Sequence, residues 1–443
     1  MKIRNFKELA TTPAREAALK VAEAGLQAVD TAAALNGSLK LDGGSLSVFG
    51  THFALSPGGK LIAVLVGKCA ADAAAAFEAA LGDRIDGGIA MGVGPYDGAG
   101  RPALKRIIYR AGTHPMPSED NVMGTRAILN SLAGLTVSDT VLFLISGGGS
   151  TLLVQPPCVA ERASELVDKE KGLLAALFAA GATIQEINTV RKHMSLARGG
   201  FLAQAAHPAQ AISVIFSDVP GDDIGFVASG PTVKDATTVK DAETVMKKYG
   251  LPLDQECLTE TPKDGEYFER VHNILALSNA TAVAGMKAEA ERLGYAVTVK
   301  NGCLTGEARE VGAEIAREAG AAPAGTVLLY CGETTVTVRD GGGRGGRNQE
   351  AALGALSEIA EGCVVLSLAS DGRDNGDHAG ALADAGISNA AKMKSLDPAS
   401  FLAKNDSSEF FEKLGDGLIE TGLTGSNVSD LMIAVAGKPE KEK

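Results

Sequence analysis

The 443-residue sequence contains no tryptophan and only 4% aromatic residues, which argues against aromatic stacking as its principal means of recognition. Positive charge is also scarce. Lys and Arg number 42 against 54 Asp and Glu, a net charge of −12, so neither nucleic acid nor an anionic membrane is expected as the main ligand. An anionic small molecule remains accessible, provided that local cations overcome the average field. The six cysteines form no CxxC pair and have no histidine at metal-ligand spacing, and the six histidines are dispersed. The cysteines therefore read as reduced thiols of a cytoplasmic protein without a zinc site. No run approaches the roughly 18 apolar residues of a membrane span, and the N-terminus has no apolar leader core.

What the chain has is glycine, 54 residues of it, and 45% hydrophobic residues, enough for sizeable cores. Its length suggests two or three domains. Short β-branched runs alternate with helical periodicity in both halves, the pattern of α/β units without a sequence repeat. Thr12 to Leu35 reads as a helix with Pro13 in its first turn. The stretch 236–270 is charged and carries Pro252 and Pro262, so it is expected to be a helix plus a connection between a first domain over 1–235 and a second over 271–436, with a charged tail at 437–443.

The most concentrated chemistry lies between Ile187 and Thr232. Asn188, Arg191, Lys192 and Arg198 share one polar helical segment, and the apolar strand Ala211 to Phe216 runs directly into Asp218, Asp222 and Asp223. Acids placed just after a buried strand stand where open α/β sheets bind ligands. The same logic applies to Leu61 to Val66, which feeds Gly67-Lys68 and an alanine-rich helix. Lys68 either shares an anion with that helix N-terminus or extends to solvent. The strand Thr140 to Ile145 opens into Ser146, Gly147, Gly148, Gly149 and Ser150, which forms either a nest for phosphate oxygens or a plain tight turn; the spacing is not that of a P-loop.

A second glycine-rich loop follows the expected strands Val327 to Cys331 and Thr334 to Arg339. It runs from Asp340 to Glu350, with Arg344 and Arg347 on a flexible backbone and Asn348 as a candidate N-cap. Guanidinium groups and bare amides before a helix suit an oxyanion, while a solvent-exposed hairpin loop accounts for the same residues. Gly341, Gly343 and Gly346 also match GxGxxG, weakly, because glycine-rich runs match by chance. After the strand Val364 to Leu368, Asp371 and Asp374 are placed either to hold Mg²⁺ or to cap and turn the chain.

INTVRKH with RGG, SDVPGDD with ASGPT, SGGGS, GETTVTV with GGRNQE, and TGSNVSD together resemble the motifs of the type II glycerate kinases, glycerate 2-kinases that carry a MOFRL segment and include members labelled hydroxypyruvate reductases. The resemblance spans about residues 10 to 436. It departs from the family at Asp371 to Ala381, where DGRDNGDHAGA is shorter than the usual DGxDGPTDAAGA and lacks its Pro-Thr pair.

The resemblance implies two dissimilar α/β domains. The first would be Rossmann-like with a parallel sheet. The second would be a mixed-sheet α/β domain with the MOFRL segment at about 325–436, and the active site would lie in the cleft between the two. It implies ATP- and Mg²⁺-dependent phosphorylation of D-glycerate at its 2-hydroxyl. Lys68 and Arg347 would then neutralise the transferring phosphoryl group, with Asp218 as base or metal ligand. Asn188, Arg191 and Lys192 would hold the substrate, Ser146 to Ser150 with Arg344 and Asn348 the nucleotide phosphates, and Asp371 the Mg²⁺. The partners would be D-glycerate and nucleotide, with no nucleic acid or membrane, and a homo-oligomer is compatible with all of this. The alternative reading is an NAD(P)H-dependent hydroxypyruvate reductase, and a non-catalytic sensor of nucleotide or sugar acid is a third.

Overall fold

Leu61–Val66 and Thr140–Ser146 are unbroken apolar runs, and each is buried along its whole length, as expected of strands covered on both faces of a parallel sheet. The computed structural model describes residues 1–96, 101–157, 163–219, 221–252, 257–338 and 342–437. The chain divides into two compact units, one of residues 31–276 and one that joins residues 1–30 to 277–443.

In the 31–276 unit a small antiparallel sheet, β1 (Leu39–Asp42), β2 (Ser45–Val48) and β3 (Thr51–Ala54), precedes the main sheet. The main sheet comprises β4 (Leu61–Val66), β5 (Gly87–Val93), β6 (Ile107–Gly112), β7 (Thr140–Ser146), β8 (Gln210–Phe216) and β9 (Val271–Leu277), in the order β6-β5-β4-β7-β8-β9. The pairs from β6 through to β8 are all parallel. The chain winds outward from β4 in one direction and from β7 in the other, so the topological switch falls between them. Loops after adjacent strands diverge there and leave a crevice. Val64, Val66, Met91, Phe143, Ile145 and Ile215 fill the core beneath that crevice.

The other unit has a mixed sheet of β10 (Ala296–Leu304), β11 (Thr326–Gly332), β12 (Cys363–Ala369), β13 (Gly380–Asp384), β14 (Leu418–Ile419) and β15 (Asp430–Ala436), in the order β10-β11-β15-β12-β13-β14. Only β10 and β11 pair in parallel; the other pairs are antiparallel. The parallel and mixed sheets are those expected from the resemblance.

Two expectations change. The helix over Thr12 to Leu35 breaks into Pro13–Ala28 and Thr31–Ser38. Its first part, capped by the Thr12 hydroxyl on the Arg15 N–H, belongs to the 277–443 unit. There Arg15 forms a double hydrogen bond to Asp384 and also pairs with Asp416. An amphipathic stripe shows that a helix packs, but not against what, so residues 1–30 do not fall with the expected 1–235 domain. Within 236–270, read as helix plus connection, the Val239–Lys248 helix buries Ala242 and Met246 against Ile187 and Val190 of the Ile184–His193 helix. Finally, Thr334 to Val338 forms no strand beyond an isolated bridge from Thr335 to Glu307.

Among the described cysteines, 69, 303, 331 and 363 are free thiols, whereas Cys257 is disulfide-bonded, which departs from the all-reduced reading. Cys158, Arg339, Asp340, Gly341 and the tail residues 438–443 lie outside the described residues. No helix is long and apolar enough to cross a membrane among those described.

Candidate active site

The crevice at the switch point of the parallel sheet is built by the loops that leave β4 and β7. Gly67 has φ +126°, and a Cβ there would fall 2.0 Å from the Ser146 hydroxyl, so only glycine lets the loops touch. The contact is fixed by the Lys68 N–H, which donates to the Gly147 carbonyl at 2.9 Å. Lys68 thereby lies over the glycine loop: a Cβ built on Gly148 would be 3.2 Å from Lys68 Cγ and 3.5 Å from His114 Cδ2. His114 is a residue that the sequence reading passed over. Its loop follows β6 and is tied down on both sides, by the Thr113 N–H to Asn121 Oδ1 and by the Thr151 hydroxyl to the Pro115 carbonyl.

The loop after β8 closes the floor. Val227, Ala228 and Ser229 are buried, and Ala228 and Ser229 hold φ of 51° and 60°. Non-glycine residues in this region cost about 1 kcal/mol or more each, strain that recurs at binding sites. A Cβ on Gly149 would fall 2.5 Å from the Ala228 Cβ, so the small residue and the bent segment interlock. Asp218 lies two residues past the end of β8, half-buried, at the same carboxyl end of the sheet.

The Ile184–His193 helix, opened by a Thr183/Glu186 capping box, separates its cations onto two faces. Asn188 and Arg191 face the glycine loop. Ser229 Oγ donates to Asn188 Oδ1 at 2.8 Å and lies 2.9 Å from Ser150 Oγ, and Arg191 Nη2 donates to Thr151 Oγ1 at 3.3 Å. Arg191 and the fully buried Arg198 share one buried carboxylate, Glu170, at 3.9 and 2.7 Å. Burial, with help from Arg198, lowers the Arg191 guanidinium to about 10 against the opposing pull of Glu170, so it stays charged at neutral pH. Two cations on one acid leave net positive charge beneath the loop. Lys192 is on the other face and donates to buried Asp235 at 3.0 Å, which also receives Thr237 and Thr261. Its expected substrate role therefore gives way to a structural ion pair.

The second glycine-rich loop, in the other unit, is arranged differently. Its helix runs over Arg347–Ala355 with Gly346 at the N-cap, not Asn348. The Asp374 carboxylate already accepts the N–H groups of Asn348 and Gln349 at 3.0 and 2.8 Å. Asn348 is wholly buried, its amide donating to Asp374 and its oxygen accepting from Ser367 at 2.6 Å. Arg344 is exposed and doubly hydrogen-bonded to Glu412. The expected phosphate contacts of Asn348 and Arg344 are therefore taken up by the protein itself. Arg347 donates through Nε and Nη2 to Asp430 at 2.5 and 3.1 Å and reaches Glu333 at 3.1 Å, with 34% of its side chain exposed. Burial works against its charge, but Asp430 and Glu333 outweigh it and hold the guanidinium above its usual range. Burial pushes Asp374 and Asp430 up to about 6 each, against the pull of the Asn348 and Gln349 N–H groups on Asp374 and of Arg347 on Asp430.

Asp371 spends Oδ1 on the Arg373 N–H at 3.0 Å. No cluster of three or more His, Cys, Asp or Glu suited to a metal occurs among the described residues. A magnesium ion carried on nucleotide phosphates needs only one or two carboxylates, a requirement that half-buried Asp218 fits.

Residues 17–260 match the family described as a domain of unknown function, DUF4147, and residues 326–430 match the MOFRL family. The chain is 35% identical over 441 residues to a glycerate 2-kinase of Pyrococcus horikoshii, covering 95% of this chain and 97% of that protein. It is 38% identical over 392 residues to a D-glycerate 2-kinase of Thermotoga maritima, covering 85% and 90%. A protein of Agrobacterium vitis provisionally named hydroxypyruvate reductase is 39% identical over 400 residues, covering 86% and 88%. Among solved structures, glycerate kinase from Thermotoga maritima superposes with a TM-score of 0.80 at 33% identity, covering 95% of this chain and 98% of that one.

Proposed function

The chain belongs to the family of glycerate 2-kinases that carry a MOFRL segment, and from that membership we propose that it transfers the γ-phosphoryl group of ATP to the 2-hydroxyl of D-glycerate. The single observation that carries the reading is the convergence of Lys68 and Arg191 on the Gly147–Thr151 loop at the switch point of the parallel sheet. Phosphoryl transfer needs little covalent chemistry from a protein; it needs reactants held in line and developing charge neutralised.

In this reading Lys68 neutralises the transferring phosphoryl group and Arg191, whose charge Glu170 cannot cancel because it also pairs with Arg198, holds the substrate carboxylate. Asp218 accepts the proton of the 2-hydroxyl. Alternatively Asp218 would be the carboxylate that holds Mg²⁺, which would lower repulsion between phosphate oxygens. The reductase reading is the weaker. Its dinucleotide fingerprint would need the N-terminus of the Arg347–Ala355 helix for a pyrophosphate, and Asp374 already takes those N–H groups.

Phosphorus NMR of a reaction with ATP, Mg²⁺ and D-glycerate tests the proposal. The expected product is 2-phosphoglycerate with stoichiometric ADP, abolished by chelating the metal. Absence of any phosphoglycerate, with NADH consumed in a parallel incubation with hydroxypyruvate, would reject it.

A further inference from the structure

The chain of hydrogen bonds beneath the glycine loop has a direction, and the direction says what Ser150 can recognise. The Asn188 amide donates through Nδ2 to the Ile184 carbonyl at 3.1 Å, which turns Oδ1 toward Ser229. Ser229 spends its only proton on that oxygen, at 2.8 Å. The 2.9 Å contact between Ser229 Oγ and Ser150 Oγ must then be donated by Ser150. Ser229 is fully buried and Ser150 half-buried, so the inner end of the chain is fixed and the outer end is the accessible one. With its proton committed inward, Ser150 offers only lone pairs outward. It is badly matched to phosphate oxygens, which need donors, and this reverses the expectation from sequence that it wraps nucleotide phosphate.

We propose that Ser150 is a specificity-determining residue that accepts a hydrogen bond from the acceptor substrate's second hydroxyl, the one that is not phosphorylated. The inference rests on the kinase reading above. On a small dihydroxy acid the donors are its two hydroxyls, and each has one proton. The reacting hydroxyl gives its proton to the base, so it cannot also donate to Ser150; the other hydroxyl can. A site built to bind a hydroxyl discriminates strongly against the analogue that lacks it, because a buried polar group is then left without a partner.

The test compares D-glycerate with D-lactate, which has the 2-hydroxyl but no 3-hydroxyl, in wild type, Ser150→Ala, Ser150→Thr and Ser229→Ala. Ser150→Ala is expected to lower kcat/KM for glycerate by on the order of tenfold or more, to leave lactate within about twofold, and to leave the KM for ATP unchanged. Ser150→Thr keeps the acceptor and restores most of the glycerate rate. Ser229→Ala removes the group that holds the Ser150 proton inward, so Ser150 is no longer fixed as an acceptor and glycerate turnover falls by less than in Ser150→Ala. Calorimetric binding of both acids to the same proteins supplies a readout that does not depend on turnover. Equal losses for glycerate and lactate in Ser150→Ala, or a raised KM for ATP with glycerate constants unchanged, would overturn the inference. Wild-type protein that phosphorylates neither acid would instead reject the kinase reading itself.

Discussion

The glycine-rich segment at 146–150 leaves a buried parallel strand and is lined by Lys68, Arg191 and hydroxyls, whereas the one at 342–346 leads into a helix whose first N–H groups are already bound by Asp374. From sequence both look like anion sites. The difference is set by a carboxylate distant in the chain. Asp374 and Asp430 reach the second loop and act as its anions, leaving Arg347 clamped. At the first loop the nearby acid, Glu170, is shared by two arginines and cannot neutralise both. An anion site survives folding where cations outnumber the carboxylates that pair with them, as Arg191 and Arg198 outnumber Glu170.

The sharpest way to break this comparison is Lys68→Ala. If the first loop handles the transferring phosphoryl group, kcat for glycerate falls by on the order of a hundredfold or more with KM changed far less, because the lost charge acts in the transition state. Near wild-type turnover, in protein whose circular dichroism is unchanged, would remove the first loop from the mechanism.

Next in size is the stability of the second loop. The Asp430 side chain is 1% exposed, so Arg347→Ala leaves a buried carboxylate without its cation. Breaking such a pair costs about 3 kcal/mol or more, whereas removing both partners in Arg347→Ala with Asp430→Ala costs less. Urea unfolding of the single and double variants measures this, and a single variant as stable as wild type would mean that the clamp is ornamental.

A smaller effect is expected in pH dependence. Burial raises Asp374 to about 6, above the roughly 3.9 of an unfolded aspartate. The folded state therefore binds more protons than the unfolded state between those values, and the stability this group contributes is full below about pH 4 and lost as pH rises through about 6. The stability gap between wild type and Asp374→Ala should accordingly be wider at pH 4 than at pH 7. A gap that widens toward pH 7 would mean that the N–H groups of Asn348 and Gln349, which favour the charged form, dominate over burial.

Much of this arrangement was legible in the residues. Continuous runs such as Leu61 to Val66 and Thr140 to Ile145 announced buried parallel strands, and loops directly after them marked the crevice. What could not be read was which polar groups would meet. Asn188, Arg191 and Lys192 are adjacent in sequence, yet helical geometry turns Lys192 to Asp235 and the other two to the glycine loop. Asn348 looked like an N-cap because its type suits the position, but Asp374, 26 residues on, is the group that caps. The strained pair Ala228 and Ser229 left no trace beyond the small residues of ASGPT, since a positive φ at alanine or serine is imposed by packing rather than by residue type. The placement of residues 1–30 was equally hidden, because an amphipathic face names no partner.

The smallest expected effect is also the most discriminating for the second loop. Arg344 has 64% of its side chain exposed and meets Glu412 at 2.9 and 2.5 Å. To touch a phosphate it would first have to leave that partner, and a solvent-exposed pair gains or loses little when it opens, because water and salt screen both states. Arg344→Ala should therefore leave the KM for ATP within about twofold and the unfolding midpoint unchanged. A tenfold rise in that KM, suppressed at high salt, would show instead that the guanidinium exchanges Glu412 for nucleotide, and the second loop would rejoin the first as an anion site.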